Sequence, residues 1–201
     1  MADDTRENIL RTARRLFIQN GYTATSMREI AEQAGIGKAT IYHHFQDKET
    51  IFRTLMRMTS ERIEDSYTLI ASEQDPCQRI RVAARSSLGF LYDTADLLQI
   101  GRREVPGTRD EMVSSFATLF RKYSGLLEDA FQKGMQTGQF REIDARATAL
   151  TFLNMIQGNF SMYYLTGLRV DTPERTADRL LDVFFNGILA SQTQQPDQPR
   201  E

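Results

Sequence analysis

The chain is predicted to be all-α: an N-terminal three-helix helix-turn-helix unit followed by a larger helical unit. Three observations predict it. Strict apolar–polar alternation of the kind that marks strands is absent from the 201 residues. Capping and breaking residues recur at helix-length intervals: Asn20-Gly21, Ser26, Gly35, Asp47, Asp75-Pro76, Gly138 and Thr172-Pro173. The third is the stretch Ser26 to Lys48, S-M-R-E-I-A-E-Q-A-G-I-G-K-A-T-I-Y-H-H-F-Q-D-K, which spells two short helices around a glycine-containing turn and then the start of a third.

Each element has its own local reason. In the first helix Ile9, Leu10, Ala13, Leu16 and Phe17 form one apolar stripe that Asn20-Gly21 ends. Ser26 with Glu29 reads as a capping box, each side chain satisfying an orphan amide. Ile30, Ala31 and Ala34 face inward, and Gly35 suits the left-handed position that ends a helix. Ile36 packs under the turn, and Gly37 starts the next helix. There Ile41 and Phe45 lie four residues apart and share the core face, which turns Lys38, Ala39, Tyr42 and His43 outward with Thr40 at the margin. Asp47 caps the fourth helix, which carries Ile51, Phe52, Leu55, Met56 and Ile63 and links the head to the rest.

Beyond Asp75-Pro76, Ile80 to Tyr92 reads as helix, with a separate shorter helix near Ala95 to Arg102. Val105-Pro106-Gly107 is a second break. Asp110 to about Thr137 is a long amphipathic helix bearing Val113, Phe116, Leu119, Phe120, Tyr123, Leu127 and Phe131. From Ala147 to Leu168 the chain is apolar nearly all round, as a helix covered on at least two sides must be. The last helix, capped at Thr172-Pro173, presents Ala177, Leu180, Leu181, Phe184, Phe185, Ile188 and Leu189. Two such helices are expected to pair with their copies across a two-fold axis as a four-helix bundle; two core helices of a monomer are the alternative. Residues 191–201 are polar and expected to be disordered.

Composition narrows the function classes. No apolar run approaches the ~18 residues that cross a bilayer, Met1 to Thr5 is acidic rather than signal-like, and Cys77 is the one cysteine. A cytoplasmic chain without disulfides or membrane partners is expected. Net charge is −2, but residues 1–63 hold ten Lys/Arg against eight Asp/Glu, so the basic side lies with the helix-turn-helix. No Gly-rich phosphate loop, His-Glu-x-x-His or Cys-His pair argues for an enzyme. His43 and His44 point about 100° apart with no third ligand at helical spacing, so no metal and no cofactor are expected.

The run from Thr5 to Glu49 resembles the DNA-binding domain of the TetR family of bacterial transcription regulators. The match rests on Leu16-Phe17, Gly21-Tyr22, Thr25-Ser26, Ile30-Ala31, Ala34-Gly35, Tyr42, Phe45 and Lys48; Gly37 departs from the Ser or Thr often found there. The resemblance implies a DNA-binding domain at 3–63 with its motif at about 26–45, and a ligand-binding and dimerisation domain at 64–190. It implies a dimeric repressor that binds a palindromic double-stranded operator and leaves it for a small, largely apolar effector. Helix 38–44 would then read the major groove. Lys38 can bond guanine O6 or N7, Ala39 and Tyr42 can meet thymine methyls, and Arg28 can reach a base edge. Thr25, Ser26, Thr40, His43 and Lys48 would hold phosphates. Candidate effector contacts are Phe90, Arg103, Phe116, Phe120, Tyr123, Met155, Asn159 and Tyr163, apolar side chains with a few polar groups to orient a ligand.

Overall fold

The computed structural model describes residues 2–166 and 171–186, with the side chains at 2, 3, 108–113, 163 and 164 outside the description. The Tyr163 side chain, the predicted end of its helix at Leu168, Ile188, Leu189 and the 191–201 tail therefore lie outside the description. Among those described there are eight helices and no strand: α1 (Ala2–Asn20), α2 (Met27–Gln33), α3 (Lys38–His44), α4 (Lys48–Ser72), α5 (Pro76–Glu104), α6 (Thr108–Gln136), α7 (Ala145–Thr166) and α8 (Pro173–Asn186).

The predicted caps form, except that the Ser26–Glu29 capping box closes on the Ser26 side only. Gly21, Gly35, Gly107 and Gly138 all have positive φ, the region that favours glycine. Ser26 accepts the Glu29 amide at 3.1 Å, while the Glu29 carboxylate accepts from Asn20 Nδ2 at 3.0 Å, so that carboxylate ties α2 to the end of α1. Asp47 accepts the Thr50 amide at 2.7 Å and Asp75 the Gln78 amide at 2.8 Å. Thr172 Oγ1 accepts the Arg175 amide at 3.3 Å.

One predicted boundary is absent. The helix expected to end at Tyr92 runs unbroken to Glu104 as α5. No proline or glycine interrupts residues 92–96, and the Thr94 hydroxyl bonds back to the Phe90 carbonyl at 2.8 Å within the helix. This has a structural consequence. The head core of Ile9, Leu10, Ala13, Leu16, Phe17, Ile30, Ile41, Phe45, Ile51 and Phe52 also contains Leu97 and Val105, with Ile100 packed against it. The end of α5 is part of the head.

The other half of α5 runs through the second core, against α4, α6, α7 and α8. Arg79, almost fully buried, ties the α4–α5 turn to α6 by donating to the Glu73 carbonyl at 2.8 Å and to Asp129 at 2.6 Å. Arg85–Asp178 and the Arg81 guanidinium over the Phe185 ring join α5 to α8. Phe131, Phe140, Phe152, Phe184 and Phe185 form a chain of ring contacts at the far end. The α8 stripe is thus largely covered within the chain: Ala177, Leu180 and Leu181 are buried. The exposed residues of α7 include a line of Ala147, Thr151, Asn154, Gly158, Met162 and Leu165, and on α8 Val183 is exposed among charged residues.

Two predictions follow from this packing. A Cβ at Gly134 would lie 2.0 Å from the Phe140 ring, so Gly134→Ala should lower stability by about 1–3 kcal/mol through overpacking, measured by denaturant unfolding. The second concerns acid. The Thr50 amide and hydroxyl hold Asp47 below the usual carboxylate range, the Gln78 amide does the same for Asp75, and Lys133 followed by Arg79 does so for Asp129. A carboxylate lowered in the folded state contributes stability above its unfolded value, about 3.9 for Asp, and loses it as pH falls through the lowered value. The melting temperature should drop below about pH 4, and less steeply in Asp129→Asn; an identical slope in that variant would remove Asp129 from the account.

Candidate nucleic-acid interface

Helix α3 is seven residues long and buries Ile41, with Phe45 buried just beyond it. Those two anchors fix the rotation of the helix, and Lys38, Ala39, Tyr42 and His43 are exposed on its other side, with Thr40 half-buried. Tyr42 is 48% exposed, a large ring left in water on a surface otherwise rich in polar groups. Beside it runs an open depression of about 480 Å³ lined by Thr23, Ala24, Ser26, Arg28, Lys38 and Tyr42, with Thr25, Met27 and Lys48 at its floor and edge. Arg28 is fully exposed and held by Glu32 at 2.7 Å across one helical turn. An exposed pair of this kind is weak, so the guanidinium can exchange Glu32 for a base edge or a phosphate at little cost.

Two residues expected to hold phosphates sit differently. The Thr25 side chain is 1% exposed, and its hydroxyl donates to the Gly21 carbonyl at 2.7 Å and faces the Leu16 carbonyl at 3.4 Å. It closes the turn between α1 and α2 from inside; the short polar side chain that reads as a surface hydroxyl in sequence is a turn lock. Lys48 Nζ donates to the carbonyls of Tyr22 at 2.5 Å, Thr25 at 2.6 Å and Thr23 at 3.3 Å, and lies 4.3 Å from the centre of the Tyr22 ring. An ammonium has three donors, so this one is fully engaged by the turn. Burial pushes its pKa down, partly opposed by the Glu104 carboxylate. Ser26, at the start of α2, is exposed and keeps its hydroxyl proton while its oxygen caps the helix.

Glu104 was not singled out by sequence. It lies 81 residues from Thr23, whose amide it accepts at 2.8 Å, and no spacing rule connects positions that far apart. His44 is half-buried, with its ring edge-on to the exposed His43 at 5.4 Å.

The candidate effector residues are only partly gathered. Phe120 and Met155 pack against the same core. Phe116, in the N-terminal half of α6, is 46% exposed, with its ring 6.1 Å from that of Phe120. Phe90 is half-buried on α5. Tyr123 is buried and its hydroxyl turns to the Ile63 carbonyl at 3.4 Å. Asn159 is exposed and its amide donates to the Met155 carbonyl on its own helix at 2.8 Å, so it does not face the core. Arg103 is exposed at the end of α5. A polar group the sequence did not flag is Ser87, whose Oγ is buried without a hydrogen-bond partner among the described residues. With Phe90 and Leu91 it makes a half-buried stretch of α5 between Ala83 and Ala84 on one side and Thr94 and Ala95 on the other, all at most 2% exposed.

Comparison with known proteins agrees with this geometry. Residues 9–55 match the model for bacterial regulatory proteins of the tetR family, and residues 73–188 match that for the tetracyclin repressor-like C-terminal domain. The chain belongs to the TetR family, and so to ligand-responsive, DNA-binding transcriptional regulators rather than to enzymes. It is 28% identical over 202 residues to the HTH-type transcriptional repressor KstR2 of Rhodococcus jostii (strain RHA1), covering 94% of this chain and 96% of that protein. It is 22% identical over 185 residues to the fatty acid metabolism regulator protein of Bacillus subtilis (strain 168), covering 90% and 93%. Among solved structures, AibR in complex with isovaleryl coenzyme A and operator DNA is 27% identical with a TM-score of 0.58, covering 89% of this chain and 97% of that one. No helix among the described residues is long and apolar enough to cross a membrane.

Lys38 is exposed and makes no core contact that its loss would disturb. Lys38→Ala should leave folding intact, cost about 1–3 kcal/mol of operator binding and relax base preference at one position in each half-site. Binding-site selection with both proteins reads this directly, and an unchanged preference would remove Lys38 from the reading set.

Proposed function

We propose that two copies of the chain, paired through α7 and α8, repress transcription by binding a palindromic operator, and that an acyl thioester of coenzyme A releases them. Residues 3–63 would read the DNA and residues 64–190 would pair and bind the effector, in the cytoplasm where the operator lies.

The observation that carries the DNA half is the rotation of α3: with Ile41 and Phe45 inside, Lys38 and Tyr42 stand outward beside Arg28. One such helix covers few base pairs; two, spaced for successive major grooves about 34–36 Å apart, give a site long enough to be selective. The exposed line on α7, with Met162 at 54% and Leu165 at 72%, and Val183 at 45% on α8, supports pairing there. Exposed apolar side chains grouped on two adjacent helices are what an interface between copies would bury.

For the effector, the AibR complex and the fatty acid metabolism regulator point to acyl chains. This chain offers features that suit one. Leu91, Phe120 and Met155 pack against the same core as the fully buried Leu88, and Ser87 beside it on α5 holds an unsatisfied hydroxyl, suited to a thioester carbonyl. Exposed Arg103 could meet a coenzyme A phosphate. Release requires tighter binding to a conformer whose heads no longer fit successive grooves.

The test is selection of bound duplexes from a random library by the purified protein, followed by titration of the selected complex with isovaleryl-coenzyme A and a long-chain acyl-coenzyme A. The expected result is a palindromic consensus, a dimer in sedimentation, and release by one thioester but not by free coenzyme A. A monomer with no consensus would overturn the reading; a consensus indifferent to both thioesters would overturn the effector class.

A further inference from the structure

The peptide unit between Tyr22 and Thr23 is gripped at both ends by opposite charges. Its carbonyl oxygen accepts from Lys48 Nζ at 2.5 Å, and its N–H donates to Glu104 Oε2 at 2.8 Å. Lys48 is the first residue of α4 and Glu104 the last of α5. The two helices that join the head to the regulatory unit therefore meet on one peptide group, in the turn that leads into the Ser26 cap of α2. In a trans peptide the C=O and N–H bonds point in opposite directions, so their dipoles add along one axis, and a cation at the oxygen and an anion at the N–H both favour the same orientation. Each strengthens the other's hydrogen bond by polarising the amide.

The surroundings are shaped for this contact. Gly21 has φ +86°, and a Cβ there would lie 3.1 and 3.2 Å from the two Glu104 carboxylate oxygens, so a larger residue would crowd the carboxylate as well as strain the turn. Leu97 and Val105 are buried in the head core on either side of Glu104, which fixes the approach of the helix end. About three turns of α5 before Glu104, Asp93 joins in. Its carboxylate binds Arg62 of α4 at 3.0 Å and its carbonyl accepts from Arg14 of α1.

We propose that Glu104 is the positioning residue through which the regulatory helices set the DNA-binding turn. Seated on the Thr23 amide, its carboxylate holds the Gly21–Thr25 turn, and with it α2 and the rotation of α3, in the DNA-competent arrangement. Displacing the end of α5 withdraws it. The DNA half of this inference rests on the regulator reading above; the mechanical half, that Glu104 orders the turn, does not.

Hydrogen exchange of the full-length protein, without DNA or effector, tests the mechanical half. Glu104→Ala should speed exchange of the Thr23 amide and of the following turn by about tenfold or more, as expected for loss of a charge-assisted hydrogen bond. Glu104→Gln, which keeps an acceptor but not the charge, should fall between that variant and the natural protein. Exchange in α6 and α8 should be unchanged in both. Equal acceleration throughout the chain, or none at the turn, overturns the proposal.

With a duplex selected as above, Glu104→Ala should weaken binding by about five- to tenfold without changing the slope of affinity against salt, because no phosphate contact is removed. A slope lower by about one unit would mean that the variant lost a phosphate contact, and overturns the positioning role. If no duplex is selected by any variant, the regulator reading fails while the exchange result still decides whether Glu104 holds the turn.

Discussion

The head of this protein does not close its own hydrophobic core. Ile9, Leu16, Phe17 and Phe52 are sealed by Leu97 and Val105, which belong to the end of a helix whose other half lies in the regulatory core. Fully burying side chains of this size is worth about 1.5–3 kcal/mol each, a large share of the stability of a domain that small. The head therefore keeps its place on α5 for the same reason that it stays folded. A picture in which α4 alone carries the head as a lever is incomplete. Two helices hold it, α4 entering its core through Ile51, Phe52 and Leu55 and α5 through Leu97 and Val105, and Arg62–Asp93 braces one against the other.

That constraint bears on how a weakly charged head can bind DNA. The excess of cations in residues 1–63 is small, and several of those present are engaged: Lys48 on three carbonyls, Arg28 on Glu32, Arg53 on Glu49, Arg57 on Glu61. The last three are exposed pairs across one helical turn and are easily traded for a phosphate. Lys48 is different, since moving it would take a donor from three turn carbonyls and leave Tyr22 with only the Thr25 amide at 3.3 Å. Affinity then depends on accurate placement of a few groups more than on a broad electrostatic field. Placement is what the Gly21–Thr25 turn and the α5 contact supply.

What the sequence made legible was what neighbouring residues decide. Ser26, Gly35, Asp47 and Thr172 act within three or four positions, and their helix ends fall where predicted. The outward face of α3 was legible because Ile41 and Phe45 alone fix its rotation. Interactions across long separations were not. Glu104 is one of many exposed-looking acids until the fold brings it to Thr23. Thr25 next to Ser26 reads as a second surface hydroxyl, yet its oxygen turns inward because Gly21, four residues back, leaves a carbonyl to be satisfied. The break expected after Tyr92 falls where α5 leaves one core and enters the other, and the helix runs on through it.

The continuity of α5 also decides what kind of signal can pass along it. From Ser87 to Glu104 is seventeen residues of unbroken helix, about 26 Å at 1.5 Å per residue. A kink or loop at Tyr92 would let the two halves move separately, and a side chain pushed aside near Ser87 would be absorbed locally. In an unbroken helix packed on both cores it cannot be absorbed in that way, because close-packed interiors transmit displacement. A group inserted beside Ser87 must either be rejected or shift the helix, and the far end of that helix carries the carboxylate on the Thr23 amide. The coupling needs no wire of special residues between the sites. It needs a rigid element with an end in each core and a contact at the head that is either made or broken, and α5 with Glu104 supplies both.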